Sequence, residues 1–169
     1  MKTSTPLPIR FASVIAAAIL ALNASAQTPL KHSDKSFIEK AAKAGAEEVN
    51  ISRVAVERTS NPEVRSFAQM VVDDHSSANA ALASIAASKG VTLPAKDMDD
   101  ANKWSKKSGK DFDEDYVEKM VSAHKDAVEL FEKEANKGDD AETKAFARDT
   151  LPRLQHHLEM AMDLKKMVK

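Results

Sequence analysis

The chain has no cysteine. That excludes disulfides, thiolate metal ligands and a lipid anchor carried on a cysteine. Charge of one sign is also missing: the formal net charge is −1, and no Lys/Arg cluster is large enough to grip a phosphate backbone, so a nucleic-acid partner is not expected. No apolar run approaches the roughly 20 residues that span a bilayer as a helix. Aromatics make up 5% of the residues and only four are glycine. Runs of β-branched residues are absent, while alanine, leucine, glutamate and lysine dominate, a composition that favours helix. The length suits one domain with a single core. No nucleophile elbow, phosphate-binding loop or zinc-protease motif occurs, and no catalytic or organic-cofactor residue is assigned.

Residues 1–26 read as an export leader. Lys2 and Arg10 supply a basic start, residues 11–22 an apolar run, and Ala24-Ser25-Ala26 a small-residue cleavage site. The expectation is a protein cleaved after Ala26 and located in the periplasm, with a flexible N-terminus over 27–33, a bundle domain over 34–169 and no transmembrane segment in the mature chain.

Four long helical patterns follow. The first runs over about 34–58, with Phe37, Ala41, Ala44, Glu48, Ile51 and Ala55 on one stripe. The second opens at Asn61-Pro62, an N-cap followed by proline at the first helical position, and carries Val64, Ala68, Val71, His75, Ala78, Leu82 and Ile85 to its end near Gly90. The third begins near Asp111 with Asp113, Val117, Met120, His124, Ala127 and Phe131 in its seam. The fourth begins near Asp140 with Ala147, Leu154, His157, Ala161, Leu164 and Val168. Pro152 is expected to kink it about one turn before His157. Short connections predict two antiparallel hairpins. Residues 90–110 are too long for a tight turn and predict a crossover between helices 2 and 3, with a short helix near 99–107 and Trp104 plugging the end of the core.

Each long pattern carries near its midpoint one polar residue where a core residue belongs: Glu48, His75, His124 and His157. At about 1.5 Å of rise per residue, all four fall within roughly 4.5 Å of the midpoints of their helices, so a bundle places them in one layer. Buried imidazoles and carboxylates are costly unless partnered. Three imidazoles and a carboxylate suit a mononuclear site for a divalent transition metal, Zn, Cu, Fe or Mn. At the reference imidazole pKa of about 6.5, acid would release such a metal between roughly pH 7 and 5. Asp74, Met120 and Tyr116 are candidates for a supporting shell. Glu47 and His156 fall on solvent-facing stripes.

Glu48-Val49, Asn61-Pro62-Glu63-Val64 with Phe67-Ala68, Asp74-His75, Val91 with Leu93-Pro94, Gly109 with Phe112-Asp113 and Tyr116, His124, and Leu151-Pro152 before His157-Leu158 together resemble the bacterial family catalogued as domain of unknown function (DUF) 4142. The resemblance covers the mature chain. It implies an exported protein of ferritin-like fold, and no reaction. The pattern departs from di-iron ferritins, which use Glu three residues before His on two helices. Val72, Val121 and Leu154 stand at those places here, so too few carboxylates remain to bridge two irons. Three readings stay open: a metal-binding bundle serving binding, sensing or buffering; a metal-free structural or interaction protein of the envelope whose polar layer sets helix register; and a metal-dependent oxidoreductase or hydrolase.

Overall fold

The computed structural model describes residues 29–94, 99–107 and 109–168; the leader expected over 1–26 lies outside them. Five helices form: α1 (His32–Arg58), α2 (Pro62–Ser88), α3 (Asp99–Trp104), α4 (Lys110–Lys137) and α5 (Ala141–Val168). No strand occurs among the described residues. The helix starts follow the local chemistry. The Asn61 carboxamide oxygen accepts from the backbone N–H groups of Glu63 and Val64 at 2.9 and 3.1 Å, and Pro62 occupies the first turn, where a missing N–H leaves nothing unsatisfied. The Asp140 carboxylate accepts from the Thr143 N–H at 2.9 Å at the start of α5. Past α2, Gly90 adopts φ +68°, which lets the Val91 N–H reach back to the Ala86 carbonyl at 2.9 Å. α1 begins at His32, inside the stretch expected to be flexible, and α5 continues through Pro152.

α1 packs chiefly on α2 and α4 on α5, with further contacts of α1 to α4 and α3 and of α2 to α5. The apolar stripes build two clusters. One joins the C-terminal part of α1 and the N-terminal part of α2 to the N-terminal part of α4 and the C-terminal part of α5, around Phe67, Phe112, Tyr116 and Met120. The other joins the opposite ends, around Phe37, Leu82, Phe131 and Leu154. Trp104 of α3 meets Phe112 and Tyr116 edge-on, with centroids 5.8 and 6.4 Å away, at the end of the first cluster. Between the clusters lie Glu48, His75, His124 and His157, none more than 7% exposed.

A second buried polar group sits where the start of α1 meets the end of α4. Asp34 accepts from the Asp139 N–H at 3.0 Å, while Asp34 Oδ2 and Glu134 Oε1 are buried without a hydrogen-bond partner. Burial first, then the hydrogen bond a protonated Glu134 can make to Asp34 and the charge of Asp34, Asp140 and Asp139, push the Glu134 carboxyl up to about 7 from 4.5. A raised folded-state pKa stabilises at low pH, and that contribution is lost as pH rises from 4.5 through about 7. Glu134→Gln should therefore melt above the wild type at pH 8 and converge with it below the unfolded value of 4.5. The same offset at both pH values would show that Glu134 carries no such penalty.

Candidate metal centre

The four long helices each deliver one side chain to the middle layer. His75, His124 and His157 bring one ring nitrogen apiece to within 4.8 Å of one another. His157 Nδ1 lies 3.3 Å from His75 Nε2 and 3.4 Å from His124 Nε2. Two nitrogens bound to one cation at about 2.0–2.1 Å stand about 3.3–3.6 Å apart for angles between tetrahedral and trigonal, so the two separations to His157 match those of coordinated pairs, and the three atoms together lie within 4.8 Å. The rings of His75 and His157 stack at 22° with centroids 5.4 Å apart, and His124 meets both edge-on. Phe67 walls the site against the first apolar cluster, 6.3 and 6.4 Å from the His124 and His157 ring centroids.

The outward nitrogens decide the chemistry. His124 Nδ1 lies 2.9 Å from the Met120 carbonyl, which can only accept, so Nδ1 carries the proton. His75 Nδ1 donates to Glu48 Oε2 at 2.8 Å. His157 Nε2 donates to Asp74 Oδ2 at 2.9 Å, and Asp74 also pairs with Arg153 at 3.3 Å. A neutral imidazole has one N–H, and each of these is spent outward. Three lone pairs therefore face one another, which is unfavourable unless a cation or a proton lies between them. Ligating histidines that donate their other N–H to carboxylates and carbonyls have this same arrangement.

Protonation of His124 and His157 is disfavoured. Burial lowers the His124 imidazole and outweighs the attraction of Glu48. Burial, joined by the charge of His75 and set against the hydrogen bond to Asp74, pushes His157 down to about 4. Burial acts to raise the Glu48 carboxyl, but the hydrogen bond from His75 and the attraction of the three imidazoles prevail and hold it below the usual carboxylate range.

Glu48, expected from its spacing as a fourth ligand, stands outside the triad. Its Oε2 holds the outer nitrogen of His75, and its Oε1 is buried with no hydrogen-bond partner. Its neighbour Glu47 keeps 26% of its side chain exposed and pairs with Lys119 at 2.6 Å. Asp74 reaches His157 directly. Met120 contributes its carbonyl, with its sulfur 3.9 Å from Ser52 Oγ. Tyr116 bonds Ser52 at 2.9 Å rather than an imidazole, and burial raises its phenol above the ordinary value, keeping it neutral. His156 is exposed and outside the cluster. Sequence reasoning did not single out Ser52, one turn past Glu48 on the same stripe, nor Arg153 as a partner of Asp74.

Residues 20–164 match the family described as domain of unknown function (DUF4142), and the chain belongs to that family. No functionally curated protein matches it in sequence. Its fold is similar to that of a DUF305 fragment from Deinococcus radiodurans, with TM-score 0.73 and 12% identity over 83% of this chain and 99% of the other. It is similar also to CopM in the Cu(I)-bound form, with TM-score 0.67 and 16% identity over 79% of this chain and 95% of the other. A third similar structure is a dodecameric thioferritin, the bacterioferritin-related protein from Bacteroides fragilis, with TM-score 0.59 and 18% identity over 83% and 89%. At these identities the likeness is one of fold, and it is ferritin-like.

Proposed function

We propose that the protein is an exported, periplasmic metal-binding bundle. In this reading His75, His124 and His157 hold one transition-metal ion, and Glu48, Asp74 and the Met120 carbonyl orient the rings. The observation that carries it is the triad of inward nitrogens at 3.3 and 3.4 Å whose outward nitrogens are all engaged. A metal-free polar layer would need a proton held among three nitrogens in surroundings that disfavour imidazolium. Cu(I), the ion bound by CopM, and Zn(II) are the first ions to test, because both accept three neutral imidazoles. Binding, buffering or sensing fits a site with a single ion and so few carboxylates nearby.

Two further parts of the reading rest on other observations. Export rests on the leader pattern over 1–26. The pairing of helix ends in the two apolar clusters supports two antiparallel hairpins, α1 with α2 and α4 with α5, joined by a crossover through α3. The expected result of titrating the apo protein with Zn(II), and anaerobically with Cu(I), is saturation at one equivalent. No saturable binding, or only weak binding of several equivalents, would contradict the reading.

A further inference from the structure

A metal centre sealed between two apolar clusters needs a way in. Glu48 marks one. Its Oε1 is buried and unpartnered, and the same side chain borders two cavities. One, of about 30 Å³, lies inside the bundle against His75. The other, of about 200 Å³, opens to the surface between α1 and α4. Ala44, Ala127 and Leu130 line both, so the two cavities meet along apolar side chains of α1 and α4. The outer pocket is charged: Glu47 and Asp126 present carboxylates, Lys40 and Lys119 ammonium groups, and the 2.6 Å Lys119–Glu47 pair spans from α4 to α1 at its edge. The second oxygen of Glu48 is thus a buried, unpartnered, metal-capable atom bordering both cavities.

We infer that the metal ion enters and leaves through this α1–α4 pocket, drawn in by Glu47 and Asp126 and passed over the free Glu48 oxygen to the imidazoles, with Lys119 holding the entrance. The inference rests on the metal-binding reading and adds its route. A carboxylate whose other oxygen already fixes His75 suits the hand-over, because the ion exchanges water for an oxygen ligand before it meets nitrogen. The competing route is transient opening of the whole bundle, which has no preferred side.

The test is the rate of loading with Zn(II) in stopped flow and the rate of its extraction by excess chelator, on the full chain. Lys119→Gln breaks the ion pair and removes a repelling charge from the entrance, so loading should quicken about tenfold, the lower end of electrostatic rate effects. Asp126→Asn should slow loading by a comparable factor, and more weakly at high salt. Ala123→Leu, which narrows the outer pocket from a half-buried position, should slow loading and extraction together and leave Kd within about twofold, since a blocked route changes both rates alike. Lys119→Gln and Asp126→Asn alter surface residues, so the test stands even if Ala123→Leu folds poorly. Rates unchanged in all three variants while the wild type binds one equivalent would overturn the route and leave the metal site standing. Absence of Zn(II) binding in the wild type would overturn both.

Discussion

Saturating metal is expected to raise the stability of the folded chain by about 2.7 kcal/mol at a hundredfold excess over Kd, because an ion that binds only the native state adds RT ln(1 + [L]/Kd). For a domain of this size the melting temperature should rise by roughly 10 °C. The pH dependence separates this centre from exposed histidines. Protons compete for the ligand nitrogens, but burial holds His157 down to about 4 and lowers His124 as well. A depressed histidine pKa means the unfolded chain takes up protons first. Stability from this source is complete above the unfolded value near 6.5 and is lost as pH falls toward about 4. The metal-dependent rise in melting temperature should therefore survive at pH 6 and vanish near pH 4, a lower window than unperturbed imidazoles would give. Calorimetry with and without Zn(II) across this range checks it. A midpoint of loss at 6.5 would mean that the imidazoles are open to water.

The second large effect is at Glu48. Its carboxylate is the sole hydrogen-bond partner described for His75 Nδ1, and that N–H is buried. Glu48→Ala leaves the donor unsatisfied and frees the ring to rotate. Stability should fall by about 2 kcal/mol, the cost of an orphaned buried donor, and metal affinity by 10–100-fold, as for other residues that orient ligand rings. Glu47→Ala, one residue away, should change stability by no more than about 0.5 kcal/mol, because it loses only a partly exposed ion pair. Urea denaturation of the apo proteins and Zn(II) titration of both variants measure the difference. Equal effects at the two positions would remove Glu48 from the centre.

Much of the frame was legible in the residues. The 3-4 spacing of apolar side chains, the Asn61-Pro62 start and the glycines near helix ends locate the four long helices within a few residues of where they form. The polar layer was legible too, because four helices of similar length with one misfit residue near each midpoint must align those residues whichever way the chain runs. Spacing along a helix, however, places a Cα and a face, and leaves the rotamer open. Glu48 shares the stripe and level of a ligand, yet its carboxylate ends on the outer nitrogen of His75. Asp74 is adjacent to His75 in sequence but reaches His157 on α5, a pairing across 83 positions that no local pattern announces. The Ser52 to Tyr116 bond spans 64 positions and was invisible for the same reason. Which nitrogen of each ring points inward depends on those distant partners, so the chemistry that most favours a metal emerges only once the helices are packed.

The claim that three imidazoles form one ion site is tested most directly by repeating the equilibrium Zn(II) titration on His75→Ala, His124→Ala, His157→Ala and His156→Ala. The account predicts one equivalent bound with wild-type affinity in His156→Ala, and no saturable site in the other three. Binding that survives loss of His157, or that falls as much with His156→Ala as with His157→Ala, would contradict it.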